Sequence, residues 1–163
     1  MNNQAVGADR AQQFLTFELA GEAYGVEILK VQEIRGWTPV RKLPNLPGFV
    51  KGALNLRGVI VPIIDLRERF QMPTVEYTPM TVVIVIRLTL AESNGPTVLG
   101  IIADAVSDVV DINWAEVSAM PSMGGKIDTR YMYGMYMRES GMVMLLDVDK
   151  LLSPEEFISI AEA

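Results

Sequence analysis

The chain has 163 residues, half of them hydrophobic and 7% aromatic, and a formal net charge of −6. It contains neither cysteine nor histidine. That excludes a disulfide framework, zinc fingers, Cys or His nucleophiles, Ser-His-Asp chemistry and a histidine phospho-acceptor within this chain. The acidic balance and the scatter of the 14 Lys and Arg argue against nucleic acid, which demands a basic stripe.

The first stretch, MNNQAVGADR, has no basic flank leading into an apolar run, so it does not read as a signal peptide. The longest apolar runs, such as VVIVI at 82–86, are far too short to span a bilayer. The expectation is a cytoplasmic protein with no direct membrane insertion.

Residues 1–12 read as a flexible N-terminal tail. QFLTFELA (13–20) alternates through Leu15, Phe17 and Leu19, a half-buried strand. Ala20-Gly21-Glu22 turns it and AYGV (23–26) starts the return. Residues 27–31 coil briefly. VQEIRGW (31–37) extends again, with Val31, Glu33 and Arg35 on one face. GALNL (52–56) and VIVPII (59–64) flank Arg57-Gly58, a two-residue hairpin signal, because glycine accepts the positive φ that such turns require. Pro62 lacks a ladder donor and is awkward in the return strand. Asp65 reads as the N-cap of a short helix over 66–70.

TVVIVIRLTL (81–90) is a β-branched strand, AESNGP (91–96) a loop, and TVLGIIADAV (97–106) with SDVVDI (107–112) extended chain. Residues 113–129 form the longest irregular connection. YMYGMYMRESGMVMLLDV (131–148) is a second hairpin, with Asp147 capping a helical turn. Ser153-Pro154-Glu155-Glu156 opens a C-terminal helix over 153–163.

Two stretches repeat. GALNLRGVIVPIIDL (52–66) lies over GMYMRESGMVMLLDV (134–148) at an offset of 82. GVEILKVQEI (25–34) lies over GIIADAVSDV (100–109) at an offset of 75, with Glu33 over Asp108. A duplication is the simplest reading. It predicts a mainly all-β protein of two small five-stranded β-barrel subdomains, 13–75 and 79–152, packed on one another.

The acidic points Glu27/Glu33 and Asp104/Asp108/Asp111 read as solvated carboxylates; no metal-ligand or nucleotide motif is present, and no cofactor is expected. Seven of the ten methionines fall between 120 and 144. Met135, Met137, Met142 and Met144 read as core of the second hairpin, and Met120 and Met123 as interface candidates. Glu33 and Arg57 stand in apolar contexts. Two readings stay open for them: an exposed ion pair, or a polar rim that orients a partner on an apolar groove.

GVEILKVQEIRGW (25–37), followed by PGFVKGALNLRGVIVPIIDLRERF (47–70), resembles the CheW family of bacterial chemotaxis coupling proteins. VLGIIADAVSDVV (98–110) and YGMYMRESGMVMLLDVDKLL (133–152) extend the resemblance over nearly the whole chain. It implies two SH3-like barrels with short helices and a non-catalytic adaptor. Such an adaptor bridges the regulatory domain of the histidine kinase CheA to the cytoplasmic hairpin tip of chemoreceptors, in membrane-bound arrays. The alternative is a CheW-like regulatory module of a CheA or CheV type protein. Carried over by position, the receptor-binding residues are Val31, Glu33, Gly52, Arg57, Val82 and Val109. Gly52 would let a partner helix approach the backbone closely. The resemblance places kinase contact on barrel-end apolar surfaces without fixing residues. The 91–97 loop looks longer than the family's usual tight turn.

Overall fold

The structure, a computed structural model, describes residues 11–42, 44–89, 97–120, 129–153 and 155–156. Its strands are β1 (Ala11–Leu19), β2 (Glu22–Glu27), β3 (Val31–Gly36), β4 (Val50–Leu56), β5 (Val59–Asp65), β6 (Val82–Leu88), β7 (Thr97–Ala103), β8 (Ala105–Asn113), β9 (Met132–Arg138) and β10 (Gly141–Leu146). One short helix, α1 (Leu66–Arg69), follows β5. The mainly β class is as expected. β1 starts at Ala11, so the last residues of the expected tail are strand. The expected C-terminal helix falls largely outside the described residues, but its start is clear. Ser153 Oγ accepts from the Glu156 N–H at 3.0 Å, and Glu156 Oε1 accepts from the Ser153 N–H at 2.9 Å. Each side chain satisfies a donor that the first helical turn leaves free.

The local chemistry explains the turns. Arg57 (φ 52°) and Gly58 (φ 88°) are both left-handed, the geometry that lets a two-residue turn follow the strand twist. Asn55 Oδ1 accepts from the Gly58 N–H. Asp65 caps α1 by accepting from the Arg67 N–H, and Asp147 caps the turn at 148–150 in the same way. Pro62 is accommodated because Ala53, its cross-strand partner, exchanges both backbone hydrogen bonds with Arg41 on its other side. No donor is needed from Pro62.

Two five-stranded sheets result, ordered β8-β1-β2-β10-β9 (barrel I) and β3-β6-β7-β5-β4 (barrel II). The duplication is visible in this order. Moving each strand five places along the chain converts one sheet into the other. The parallel pairings repeat as well: Ile63 faces Gly100 and Leu145 faces Gly25, related by the offsets of 82 and 75.

The domain boundary at 75–79 does not survive. The copies exchange their first two strands, so β1 and β2 join the sheet of β8–β10, while β6 and β7 join that of β3–β5. The chain crosses between sheets at the turn Ile28–Lys30 and again at Asp104. The run read as continuous over 97–106 breaks there. The Asp104 N–H turns to the Glu18 carbonyl, and its carboxylate accepts from the Ala20 N–H.

Strand alternation sends side chains to two different interiors. Val61, Ile63, Val83, Val85 and Ile102 fill barrel II, while Phe14, Ile112, Val143 and Leu145 fill barrel I. The intervening residues meet in a larger core shared by both barrels, among them Leu15, Phe17, Tyr24, Ile64, Ile84, Ile86, Leu99 and Met144. A fully buried aliphatic side chain contributes roughly 1.5–3 kcal/mol, and most of that burial lies between the barrels.

Each sheet also curls on itself. The edge strands β3 and β4 lie at opposite ends of their sheet, yet Arg57 after β4 reaches Glu33 on β3 at 3.0 Å. Arg138 on β9 reaches Asp108 on β8 at 3.3 Å, the corresponding seam of barrel I.

Candidate docking surface

The seam of barrel II gathers part of the residue set carried over by position. A β-bulge between Val31 and Glu33 shifts the pairing of β3 with β6, and bulges re-aim side chains in this way. The Glu33 carboxylate lies between two guanidinia, Arg57 at 3.0 Å on one oxygen and Arg35 at 3.4 Å on the other. Arg57 is 71% exposed and Glu33 28%. The carboxylate is thus largely neutralised and the seam presents positive charge. Ile34, Val59 and Ile60 are exposed on the same strand and hairpin. Val31 and Val82 are half-buried at the edge of the shared core. Val82 opposes Gly36 at the far end of β3.

Gly52 belongs elsewhere. It is buried, with positive φ, and a Cβ there would collide with the Arg41 carbonyl. The close approach that it permits is made by the chain's own 41–53 bridge, which closes the barrel. Gly134, its repeat partner, does the same for Ser118. Val109 is on β8 in barrel I, 47% exposed, over the position that Ile34 holds in barrel II. Among the described residues, no hydrogen bond or ion pair connects it to the Glu33 group.

Arg35, Ile34 and Ile60 were not singled out from sequence. The alternation of VQEIRG contained the signal for Arg35, which it put beside Glu33, but not for Ile34, which only the bulge brings onto the face of Val31. Met120, expected as an interface candidate, is half-buried against the shared core, as Val31 and Val82 are. Met144 is buried as expected, whereas Met137 is 68% exposed. Met123 and the 91–96 loop lie outside the described residues.

The acidic points all have partners. Asp104 takes Arg67 Nη2 at 2.6 Å and Nε at 3.0 Å. Burial pushes its carboxyl up, but the hydrogen bonds from Arg67 and from the Ala20 N–H outweigh that and hold it below the usual range. Asp108 accepts from Thr16 and Arg138, and Asp111 from Gln13. Among the described residues no three carboxylates converge as metal ligands, and no helix is long and apolar enough to cross a membrane.

Strand exchange also sorts charge. By sequence, residues 31–103, which hold barrel II and its connections, carry eight Lys and Arg against five Asp and Glu, whereas residues 11–30 and 104–152 carry five against eleven. The Arg57 seam is therefore on the basic side of the molecule, a charge that complements an acidic surface.

A family profile described as the CheW-like domain matches residues 13–156. The chain is 44% identical to the chemotaxis protein CheW of Klebsiella aerogenes over 154 residues, covering 94% of this chain and 89% of that protein. It is 30% identical to the chemotaxis protein CheW of Rhizobium meliloti over 145 residues, 89% of this chain and 90% of that protein. Among solved structures, the scaffolding protein CheW of Thermoanaerobacter tengcongensis superposes with a TM-score of 0.77 at 28% identity, covering 89% of this chain and 90% of that one. With its exchanged five-stranded sheets and a profile match spanning both, the chain belongs to the CheW family of chemotaxis proteins.

Proposed function

We propose that the chain is a non-enzymatic adaptor that couples methyl-accepting chemoreceptors to the histidine kinase CheA in cytoplasmic arrays beneath the membrane. The observation that carries this reading is the barrel II seam. There an exposed arginine, held by Glu33, stands among exposed aliphatic side chains next to the barrel junction. A receptor tip is a helical hairpin. An apolar stripe on such a helix would lie on Ile34, Val31 and Val82, with its acidic flank toward Arg57. The charges select and orient, while the aliphatic contacts supply most of the affinity. Val109 would belong to the same surface only if the partner spans the junction.

Co-sedimentation with receptor-bearing membranes and CheA tests this. The parent chain should bring the kinase to the membrane fraction, and Arg57→Glu should abolish that while leaving the far-ultraviolet circular dichroism unchanged. Recruitment by Arg57→Glu at the parent's level would reject the seam as the receptor site.

A further inference from the structure

One charged side chain between the barrels is not used by the docking surface. Arg69 ends α1, and its side chain is only 14% exposed. Continuing the offset of 82, Phe49 corresponds to Tyr131 and Arg69 to Leu151. Both pairs meet around one guanidinium. It lies 4.4 Å from the Phe49 ring centroid and 5.3 Å from that of Tyr131, and its Nε donates to the Leu151 carbonyl at 2.7 Å. Repeat-related residues that touch one another must lie close to the axis relating the two copies. Arg69 therefore sits near the pseudo-twofold axis of the molecule, a single charge where the other copy has leucine.

Both terminal nitrogens are also engaged. Nη2 and Nη1 hold Glu156 Oε1 and Oε2 at 2.9 and 3.2 Å. Glu156 is the same residue that closes the capping box with Ser153. One side chain, anchored after β5, thus fixes the segment that leaves β10. Burying a guanidinium is costly, and an aliphatic side chain could fill apolar space more cheaply. What the arginine adds is direction, since a planar fork with two aromatic walls accepts one orientation of its neighbours. A cleft of about 520 Å³ beside it, lined in part by Arg130, Tyr131, Lys150 and Glu156, leaves room for movement once the fork is lost.

We propose that Arg69 is a positioning residue that sets the angle between the two barrels, and with it the relation between surfaces on opposite barrels. This depends on the repeat geometry and not on which partners bind.

The absence of cysteine allows a direct test with spin labels at Ile60→Cys in barrel II and Ser140→Cys in barrel I, both exposed positions. Pulsed electron–electron dipolar spectroscopy on the doubly labelled full chain should give one narrow distance distribution. Arg69→Lys keeps the charge and the stem but not the fork, and should broaden that distribution with the far-ultraviolet circular dichroism unchanged. Glu156→Gln should broaden it less. A distribution as narrow as the parent's in Arg69→Lys, even with a lowered melting temperature, overturns the proposal, because a merely structural role moves only the melt. If Arg69→Lys does not fold, the comparison passes to Glu156→Gln, and an unbroadened distribution there overturns it equally.

Discussion

Gly52→Ala separates packing from docking. The new Cβ would collide with the Arg41 carbonyl and the Val40 side chain, at a backbone φ of +151° that side chains rarely adopt. Relieving the clash breaks the 41–53 bridge, whose two hydrogen bonds measure 2.8 and 3.3 Å. Those bonds contribute about 1 kcal/mol each, and overpacking adds roughly 1–3 kcal/mol. The expected loss is about 3–5 kcal/mol, among the larger single-site effects. For a chain of this length each kcal/mol shifts the melting temperature by roughly 2–4 °C, so the melt should fall by roughly 6–20 °C.

Gly58→Ala is the control. A Cβ there meets nothing within 4 Å, though φ is +88°, and the left-handed strain costs about 1–2 kcal/mol. Gly134→Ala, against Ser118, should mirror Gly52→Ala. The assay is thermal denaturation followed by circular dichroism. A Gly52→Ala protein that melts with the parent yet fails to bind receptor would refute the structural account and return Gly52 to the docking surface.

Three further outcomes follow from the same geometry. Arg57→Asn places a residue tolerant of left-handed backbone at φ 52° and removes an exposed ion pair. Such a pair is worth about 0–1 kcal/mol, so the melt should hold or rise slightly while receptor co-sedimentation falls. Burial and the neighbouring Asp149 charge push the Asp147 carboxyl above its usual range. A raised acid favours folding below its unfolded value near 3.9, and that advantage is lost as pH rises through the folded value. Asp147→Asn keeps an oxygen for the cap, so it should flatten this pH dependence and raise the melt at neutral pH. Tyr24 buries a hydroxyl with no partner among the described residues, and burial pushes its pKa up to about 12. Tyr24→Phe should cost nothing and stabilise by about 1 kcal/mol, read in a urea melt.

Most of the local structure was legible. The Arg57-Gly58 hairpin, the Asp65 and Asp147 caps and the Ser153 start each rest on contacts between near neighbours, which residue type and spacing encode. The duplication was legible too, because both copies keep glycines where backbones touch. The exchange of β1 and β2 with β6 and β7 was not. It depends on a three-residue turn at 28–30 and on Asp104, and both read along the chain as an ordinary bend or as continuing strand. Gly52 shows the same limit at a site. The sequence demands a close approach there without saying whose backbone makes it. Arg69 was invisible because its partners, Phe49, Leu151 and Glu156, converge only after folding.

The seam is tested most directly by reversing both of its charges together. Glu33→Arg with Arg57→Glu rebuilds an ion pair of opposite sense. The double variant should fold with the parent's melt and still not bring CheA to receptor membranes, because each charge also addresses the partner. Restored recruitment in the double variant, after loss in each single one, would contradict this and reduce the pair to a structural contact.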